Sequence, residues 1–201
     1  MKKILKVSTS LMLAVVLMLS LAGCGEVKKA ETAVNNMFKA FKELNFDEAR
    51  KYVDLEDISS GSGMTDNAEM FMENLFDKLE YEIVSSEKVD SENVNVKTKI
   101  TAIDMKPVMK DFFTAALEYA FANAMADPQP TEEEMQAKME EILVECTSKP
   151  DLEKLTKEVK IKVVKQDDEW KVQTDEEFVN AVLGDLEAAA QEIQNSFNSE
   201  E

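Results

Sequence analysis

The sequence predicts an α+β fold, in which an antiparallel sheet of about four strands packs on N-terminal helices. Three observations support this prediction. Apolar residues recur at helical spacing in several stretches, and in others they alternate with polar residues at a period of two. Gly and Pro, at 5 and 4 of 201 residues, are too few for a loop-rich protein. The length fits one domain or at most two small ones, and a hydrophobic content of 44% is enough for a core.

Three helices are predicted in the first part of the chain. Residues 30–44 place a set of apolar side chains on one helical face: Ala30, Val34, Met37, Phe38, Phe41 and Leu44. A short second helix is predicted from a cap at Asp47 to about Val53, and a third over about 65–77. Between them, residues 59–63 (SSGSG) have the composition of a flexible connector, with the rim of a pocket as the alternative.

Two stretches predict β-hairpins with one buried face each. In the first, apolar residues alternate with polar ones over 79–83 and 94–102, on either side of a turn at 90–93. In the second, they alternate over 159–163 and 170–173, on either side of a turn at 166–169. Trp170 lies on the apolar face of the last strand and is therefore expected in the core.

A helical pair, about 106–147, is predicted as an insert between the two hairpins. Its first helix begins near Pro107, runs to about 126, and has so narrow a polar stripe that most of its circumference should be covered. The apolar residues of that helix include Met109, Phe112, Phe113, Leu117, Tyr119 and Phe121. A capping box at 131–134 opens the second helix, and another at 174–177 opens a C-terminal helix. Residues 30–198 are thus expected to form a single domain.

The charge and composition exclude several classes of function. The chain has 41 acidic and 23 basic residues, a net charge of −18, which becomes −21 for residues 24–201 because the first 23 residues hold three lysines and no acid. Nucleic-acid binding is excluded, because it needs clustered cations. The chain has no His, which excludes Ser-His-Asp and Cys-His catalysis, the HExxH zinc site and His-based pH switches.

Residues 1–23 have the composition of a bacterial export signal. Lys2, Lys3 and Lys6 form a positive N-terminal region, and residues 11–19 are an uninterrupted apolar run. A transmembrane helix needs about 20 apolar residues to cross the hydrocarbon core. The run is therefore interpreted as the hydrophobic region of a signal peptide and not as a membrane span.

The motif Leu21-Ala22-Gly23-Cys24 resembles the lipobox of bacterial lipoproteins. The resemblance implies that the Cys24 thiol is diacylglycerylated, that the leader is cut before Cys24, and that acyl chains of the palmitate type anchor the protein on the extracytoplasmic face of the cell membrane. Two acyl chains give stable anchoring where one does not. An ordinary cleaved leader with a chance Cys is the alternative. Residues 24–29 are then expected to be a short extended tether, and the remaining Cys146 can form no intrachain disulfide.

Two segments resemble parts of nuclear-transport-factor-like, or cystatin-like, domains: Leu44-Asn45-Phe46-Asp47-Glu48-Ala49 and Asp167-Asp168-Glu169-Trp170-Lys171-Val172. The resemblance implies a cone, in which a curved sheet wraps around N-terminal helices, and such domains occur in bacterial lipoproteins of unknown function. The insert at 106–147 and the C-terminal helix depart from the minimal cone. They are expected to fill the pocket that such folds usually present.

Acidic clusters are candidate cation sites. Asp47 with Glu48, and Asp54 with Glu56 and Asp57, could bind a hard cation but lack the spacing of a calcium-binding loop, so a solvated surface is expected. The cluster Glu132–Glu134 is expected to supply favourable charge at a helix N-terminus. No metal site is therefore predicted from the carboxylates.

Catalysis and copper binding are the other chemical alternatives. Cones of this type sometimes use an Asp base with Tyr donors, and the chain offers Asp104 with three tyrosines, Tyr52, Tyr81 and Tyr119. Without His or a recognisable motif, neither an enzyme nor a cofactor is expected. The thioethers of Met135 and Met139 share a helical face with Cys146 and could bind copper(I), but core packing explains the same spacing.

Five lysines alternate with apolar residues along the predicted strands and should share the solvent face of the sheet: Lys97, Lys99, Lys160, Lys162 and Lys171. Such a face is either plain solvated sheet or a surface for anionic lipid or an acidic envelope polymer.

The sequence thus predicts a non-catalytic, membrane-anchored lipoprotein that binds a small or polymeric ligand. The alternative is an accessory lipoprotein that docks to other envelope proteins through its helical insert. A cavity between sheet and helices would favour the first, and an exposed apolar patch on helix 107–126 the second. A buried Asp beside a Tyr would instead favour an enzyme.

Overall fold

The computed structural model describes residues 25–53 and 65–198. Within these residues, seven helices pack on one face and at one end of a four-stranded antiparallel sheet, which confirms the predicted α+β class. The predicted leader, Cys24, the acidic triplet Asp54, Glu56 and Asp57, and the connector at 59–63 lie outside the described residues. No helix in the described ranges is long and apolar enough to cross a membrane.

The first helices differ from the prediction at their starts. Helix α1 covers 25–42, so residues 25–29 are helical and not an extended tether. The reason is packing, because Val27 contacts the main core and Glu26 pairs with Lys88. Helix α2 (Phe46–Ala49) is capped by Asn45 and not by Asp47, since the Asn45 side chain accepts a hydrogen bond from the Glu48 amide at 3.0 Å. Helix α3 spans Asp66–Asp77, close to its predicted range.

The strands form one antiparallel meander in the order β1 (Glu80–Lys88), β2 (Asn93–Ile103), β3 (Lys154–Gln166) and β4 (Glu169–Gln173). Strands β2 and β3 pair with each other although the helical insert separates them in sequence, and Val96 lies opposite Ile161. The last turn is shorter than predicted. Asp167 and Asp168 both have positive φ, 47° and 68°, as in the two-residue turns that fit strand twist, and Glu169 is therefore part of β4.

The main core lies between the sheet and helices α1, α2 and α6 (Glu176–Val182), and the end of α3 adds the buried Phe76. The Phe38 ring of α1 stacks on Tyr81 of β1 at 4.3 Å and lies 6.2 Å from the Phe178 ring of α6. Helix α6 is the first part of the predicted C-terminal helix, which together with the insert was expected to fill the interior. The C-terminal helix does so, because α6 follows β4 almost directly and turns Phe178, Ala181 and Val182 into the core. For the insert the expectation was wrong, because its buried residues belong to a separate hydrophobic cluster.

A second core lies at the end of the sheet where β2 leads into the insert. Helices α4 (Met105–Asn123) and α5 (Glu132–Thr147) pack there with α3 and with α7 (Leu186–Asn198). Its buried residues come from all four helices and β2: Leu75, Ile103, Met105, Val108, Ile142, Cys146 and Ala189. The C-terminal helix predicted as one element is two, because Gly184 and Asp185 have φ of 59° and 60° and separate α6 from α7.

The start of α1 and the second core lie at opposite ends of the sheet. The first turns of α1 meet the far end of β1, where Glu31 accepts a hydrogen bond from Ser86 at 2.7 Å. The last turn of α1 meets the beginning of β1, where Lys42 donates to the carbonyl oxygen of Leu79 at 2.9 Å. Strand β2 has 11 residues, which at about 3.3 Å each separates the two ends by roughly 30 Å.

Candidate functional site

Helix α4 has two apolar faces, of which one is buried. Its buried face packs in the second core through Val108 and Met109 and then, at intervals of three or four residues, through Phe112, Ala115 and Tyr119. The other face is exposed towards the end of the helix, where Leu117 is 41%, Phe121 77% and Met125 96% exposed. Ala120 and Ala124 lie between them and are exposed too. We call five residues the α4 stripe: Leu117, Ala120 and Phe121 on α4, and Ala124 and Met125 in the turn that follows it.

Helix α7 and the segment just after α5 each form an ion pair with the first half of α4. Helix α7 meets α4 near its start, where Lys106 pairs with Glu192 at 2.7 Å. Helix α5 runs antiparallel to α4, since Lys149, just after α5, pairs with Asp111 in the first half of α4 at 2.5 Å, whereas Lys138, in the first half of α5, lines one cleft with Tyr119. The sequence predicted that most of α4 would be covered, and at Leu117 and Phe121 this was wrong, because these residues are 41% and 77% exposed.

The segment around the α4 stripe is acidic. Residues 114–137 contain no Lys or Arg and five acids: Glu118, Asp127, Glu132, Glu133 and Glu134. All five side chains are exposed, and none forms an ion pair with a residue in the described ranges. The predicted capping box is confirmed, since Glu134 accepts a hydrogen bond from the Thr131 amide at 2.8 Å, which lowers the pKa of Glu134. The apolar stripe therefore lies in a field of uncompensated negative charge.

An open cleft of about 660 Å³ lies on another side of the same helical end. Its lining mixes aromatic, proline, amide and charged side chains from the start of α3, from α4, from the following loop and from α5: Asn67, Tyr119, Pro128, Gln129, Pro130, Glu134, Ala137, Lys138 and Glu141. It is not the sheet-to-helix cavity on which the ligand-binding prediction depended. A second cleft of about 280 Å³, between α1, α2 and β4, is smaller than most ligand sites, and its Lys51 is paired with Glu48.

The candidate catalytic residues are not brought together. Asp104 caps α4 by accepting a hydrogen bond from the Lys106 amide at 3.0 Å. Tyr81 donates to Asn35 at 3.0 Å, and burial raises its pKa, whereas Tyr52 donates to Glu48 at 3.1 Å. Tyr119 packs in the second core, away from the main core that Tyr52 and Tyr81 contact. The arrangement of an Asp base with Tyr donors is therefore not formed.

The candidate metal ligands have structural roles in the described ranges. Cys146 is 5% exposed, and Met139 packs beside it in the second core, while Met135 is half-buried. Burial raises the pKa of the Cys146 thiol. Glu48 is held by Lys51 at 2.5 Å, and the hydrogen bond from Lys51 lowers its pKa, while Asp47 pairs with Arg50 at 3.1 Å. Among the described residues, no group of three or more His, Cys, Asp or Glu side chains could hold a metal ion.

The lysines of β2 and β3 share the outer face of the sheet, as the sequence predicted, since Lys97 lies directly opposite Lys160. Strand β1 adds acids to this face that the prediction left out. Lys99 has Glu82 opposite it on β1 and Glu158 opposite it on β3, and Glu158 also pairs with Lys97 at 2.6 Å. The face is therefore mixed in charge, with its basic part confined to Lys160, Lys162 and Lys171.

Comparison with known proteins does not show a family for this chain. No protein-family model matches the chain, and no curated protein matches it. The chain is similar to a Bacillus subtilis protein described as a "putative lipoprotein (ycdA)", with 17% sequence identity and a TM-score of 0.45. The likeness covers 70% of this chain and 45% of that one, so the chain spans less than half of the length of that protein. A likeness at this level carries no argument, and the proposals below therefore depend on the residues of this chain.

Proposed function

We propose that this protein is a lipid-anchored accessory lipoprotein of the bacterial cell envelope, and that its helical end docks another protein. The observation that carries the proposal is the α4 stripe, whose Phe121 and Met125 are 77% and 96% exposed. Contiguous apolar surface on a soluble domain marks an interaction site more often than chance exposure does. Docking is preferred to ligand binding because α6 occupies the interior of the sheet.

The placement of the stripe supports a protein partner rather than the bilayer. Cys24, the residue expected to carry the lipid, directly precedes α1, and α1 begins at the end of the sheet opposite the second core. A lipid on Cys24 would hold that end of the domain at the membrane. The second core, in which α4 packs, would then lie roughly 30 Å from the anchored end, on the part of the domain that can meet other envelope proteins.

The anchor is tested by mass spectrometry of the protein purified from bacterial membranes. We expect an N-terminal peptide that begins at Cys24 and carries a diacylglyceryl group. The Cys24→Ala variant should keep its leader and lack the lipid, because the thiol is the acceptor. An unmodified Cys24, or cleavage at another residue, would contradict the anchor.

The docking surface is tested by photocrosslinking in cells. A photoreactive phenylalanine analogue replaces Phe121, and as a matched control it replaces Val89, which is 56% exposed at the opposite end of the sheet. We expect a discrete crosslinked product from position 121 that position 89 does not give. The additional substitution Leu117→Ser should abolish this product. The same products from both positions, or none from position 121, would refute docking through α4.

A further inference from the structure

We infer that the partner segment on the α4 stripe is a basic amphipathic helix, with apolar residues on one face and Lys or Arg beside them. This inference rests on the docking function proposed above. It adds the chemistry of the partner, which follows from the shape and from the charge of the surface around the stripe.

The shape of the stripe suits a helix. Leu117 and Phe121 are four residues apart and therefore lie in one row on α4, and Met125 follows in the turn just after the helix. Ala120 and Ala124 lie beside this row and leave it with a shallow flank. Large side chains beside small ones form a ridge and a groove, into which the side chains of another helix can pack. A partner helix whose apolar residues recur every four positions matches this surface.

The charge around the stripe selects a basic partner. Glu118 and Asp127 adjoin the stripe in sequence, and Glu132–Glu134 begin the helix that is antiparallel to α4. No ion pair within the described ranges compensates these five acids. Lys or Arg beside the apolar face of the partner would gain attraction over about 8 Å, the screening length at physiological salt.

The same charge opposes two other occupants. A second copy of this chain would bring the same five acids against them and would add a net charge of −21 from residues 24–201. An anionic membrane surface would be repelled in the same way. A basic helix from another protein satisfies both the apolar row and the acids.

The test measures the binding of synthetic peptides to the mature lipidated protein in phosphatidylcholine nanodiscs, with empty nanodiscs as the blank. One peptide of about 18 residues forms an amphipathic helix of Leu and Lys. A second has Glu in place of every Lys, and a third has the first composition in scrambled order. We expect the basic amphipathic peptide to bind at least about ten-fold more tightly than the other two, with an affinity that falls as salt is raised.

Variants then locate the binding. The double variant Leu117→Ser with Phe121→Ser should lower the affinity for the basic peptide by about ten-fold or more, because both apolar contacts are lost. Glu132→Gln with Glu133→Gln should reduce the salt dependence, and the control Val89→Ser should change neither quantity. Equal binding of the acidic peptide, or binding that the Leu117 and Phe121 changes leave intact, would overturn the inference.

Failure of this inference is distinguishable from failure of the proposed function. If position 121 still forms its specific crosslink in cells while the basic peptide does not bind, docking stands and the basic helix is refuted. If the crosslinked product joins two copies of this chain, self-association replaces the basic partner, and the inference is overturned.

Discussion

A Cβ atom on Gly184 would lie 1.7 Å from the carbonyl oxygen of Ile103. Gly184 also accepts a hydrogen bond from the Met105 amide at 2.9 Å, so the turn between α6 and α7 closes directly on the junction of β2 and α4. Leu183, just before it, contacts both hydrophobic cores. This backbone contact therefore holds the helical end of the domain against the main core.

Gly184→Ala is expected to destabilise the protein strongly. The new methyl group would meet backbone rather than a flexible side chain, at a φ of 59° that suits Gly. We expect the free energy of unfolding, measured in denaturant, to fall by at least about 2 kcal/mol. Gly25→Ala is the control, since nothing lies within 4 Å of a Cβ there. A loss at Gly184 as small as that at Gly25 would mean that the two junctions can move apart.

Much of the fold follows from hydrophobic periodicity. The four strands and the helices of the insert lie near their predicted ranges because each has a long, regular pattern. The break at Gly184 was missed because it depends on the approach of Ile103, which is distant in sequence and invisible to periodicity. The helical start of α1 was missed for a similar reason, since Val27 and Glu26 are held there by the sheet.

The candidate site could be predicted only in part. The narrow polar stripe of α4 indicated that most of the circumference of this helix is covered by other parts of the protein or by a partner. Which half stays exposed depends on where α5 and α7 cross α4, and a single sequence does not give crossing positions. Of the acids around the stripe, Glu132–Glu134 were interpreted as helix N-terminal charge, and all three lie in the first turn of α5. Their relation to Phe121 needed the antiparallel pairing of α4 and α5.

Two phenylalanines on α4 should respond differently to truncation. Phe121 is 77% exposed, so Phe121→Ser should change the free energy of unfolding by no more than about 0.5 kcal/mol. Phe112 packs against the second core, and Phe112→Ala should lower the free energy of unfolding by about 2 kcal/mol or more. Denaturant unfolding of both variants checks this. Equal losses would show that Phe121 belongs to the core, and the docking surface would be lost.

The Cys146 thiol should react slowly in the native protein. It is 5% exposed, and burial raises its pKa, so both access and the thiolate fraction are low at neutral pH. Labelling with a thiol reagent should be slow in the folded mature protein and fast after denaturation. Val179→Cys is the control, because Val179 is 41% exposed. Native labelling of Cys146 as fast as that of the control would refute its burial.

Asp168→Gly is expected to stabilise the last hairpin. Asp168 has a φ of 68° in the two-residue turn, where Gly is favoured, and its ion pair with Lys165 is exposed. The midpoint of thermal unfolding should rise by about 1–3 °C. Asp168→Asn separates the two contributions, since Asn tolerates positive φ but lacks the charge. An equal fall in the unfolding midpoint for Asp168→Gly and Asp168→Asn would mean that the ion pair with Lys165 contributes more to stability than the relief of the positive φ.

The turn between β1 and β2 should make stability depend on acid pH through Asp90. The Asp90 carboxylate accepts hydrogen bonds from the Asn93 side chain at 2.9 Å and from the Glu92 and Asn93 amides at 2.8 Å. The Asn93 side chain is the main cause that lowers the pKa of Asp90 below its ordinary value of 3.8. A lowered pKa means that the charged carboxylate stabilises the fold at any pH above the ordinary pKa. This contribution is lost as the pH falls through the pKa of Asp90 in the folded protein.

Asp90→Ala should therefore destabilise the protein at neutral pH and have a smaller effect in strong acid, whereas the stabilities of wild type and Asp90→Asn should converge as the carboxylate is protonated. The measurements are denaturant unfolding across this range and the carboxyl chemical shift of Asp90 by NMR. A midpoint at or above 3.8 in the folded protein would refute these hydrogen bonds as the source of the effect.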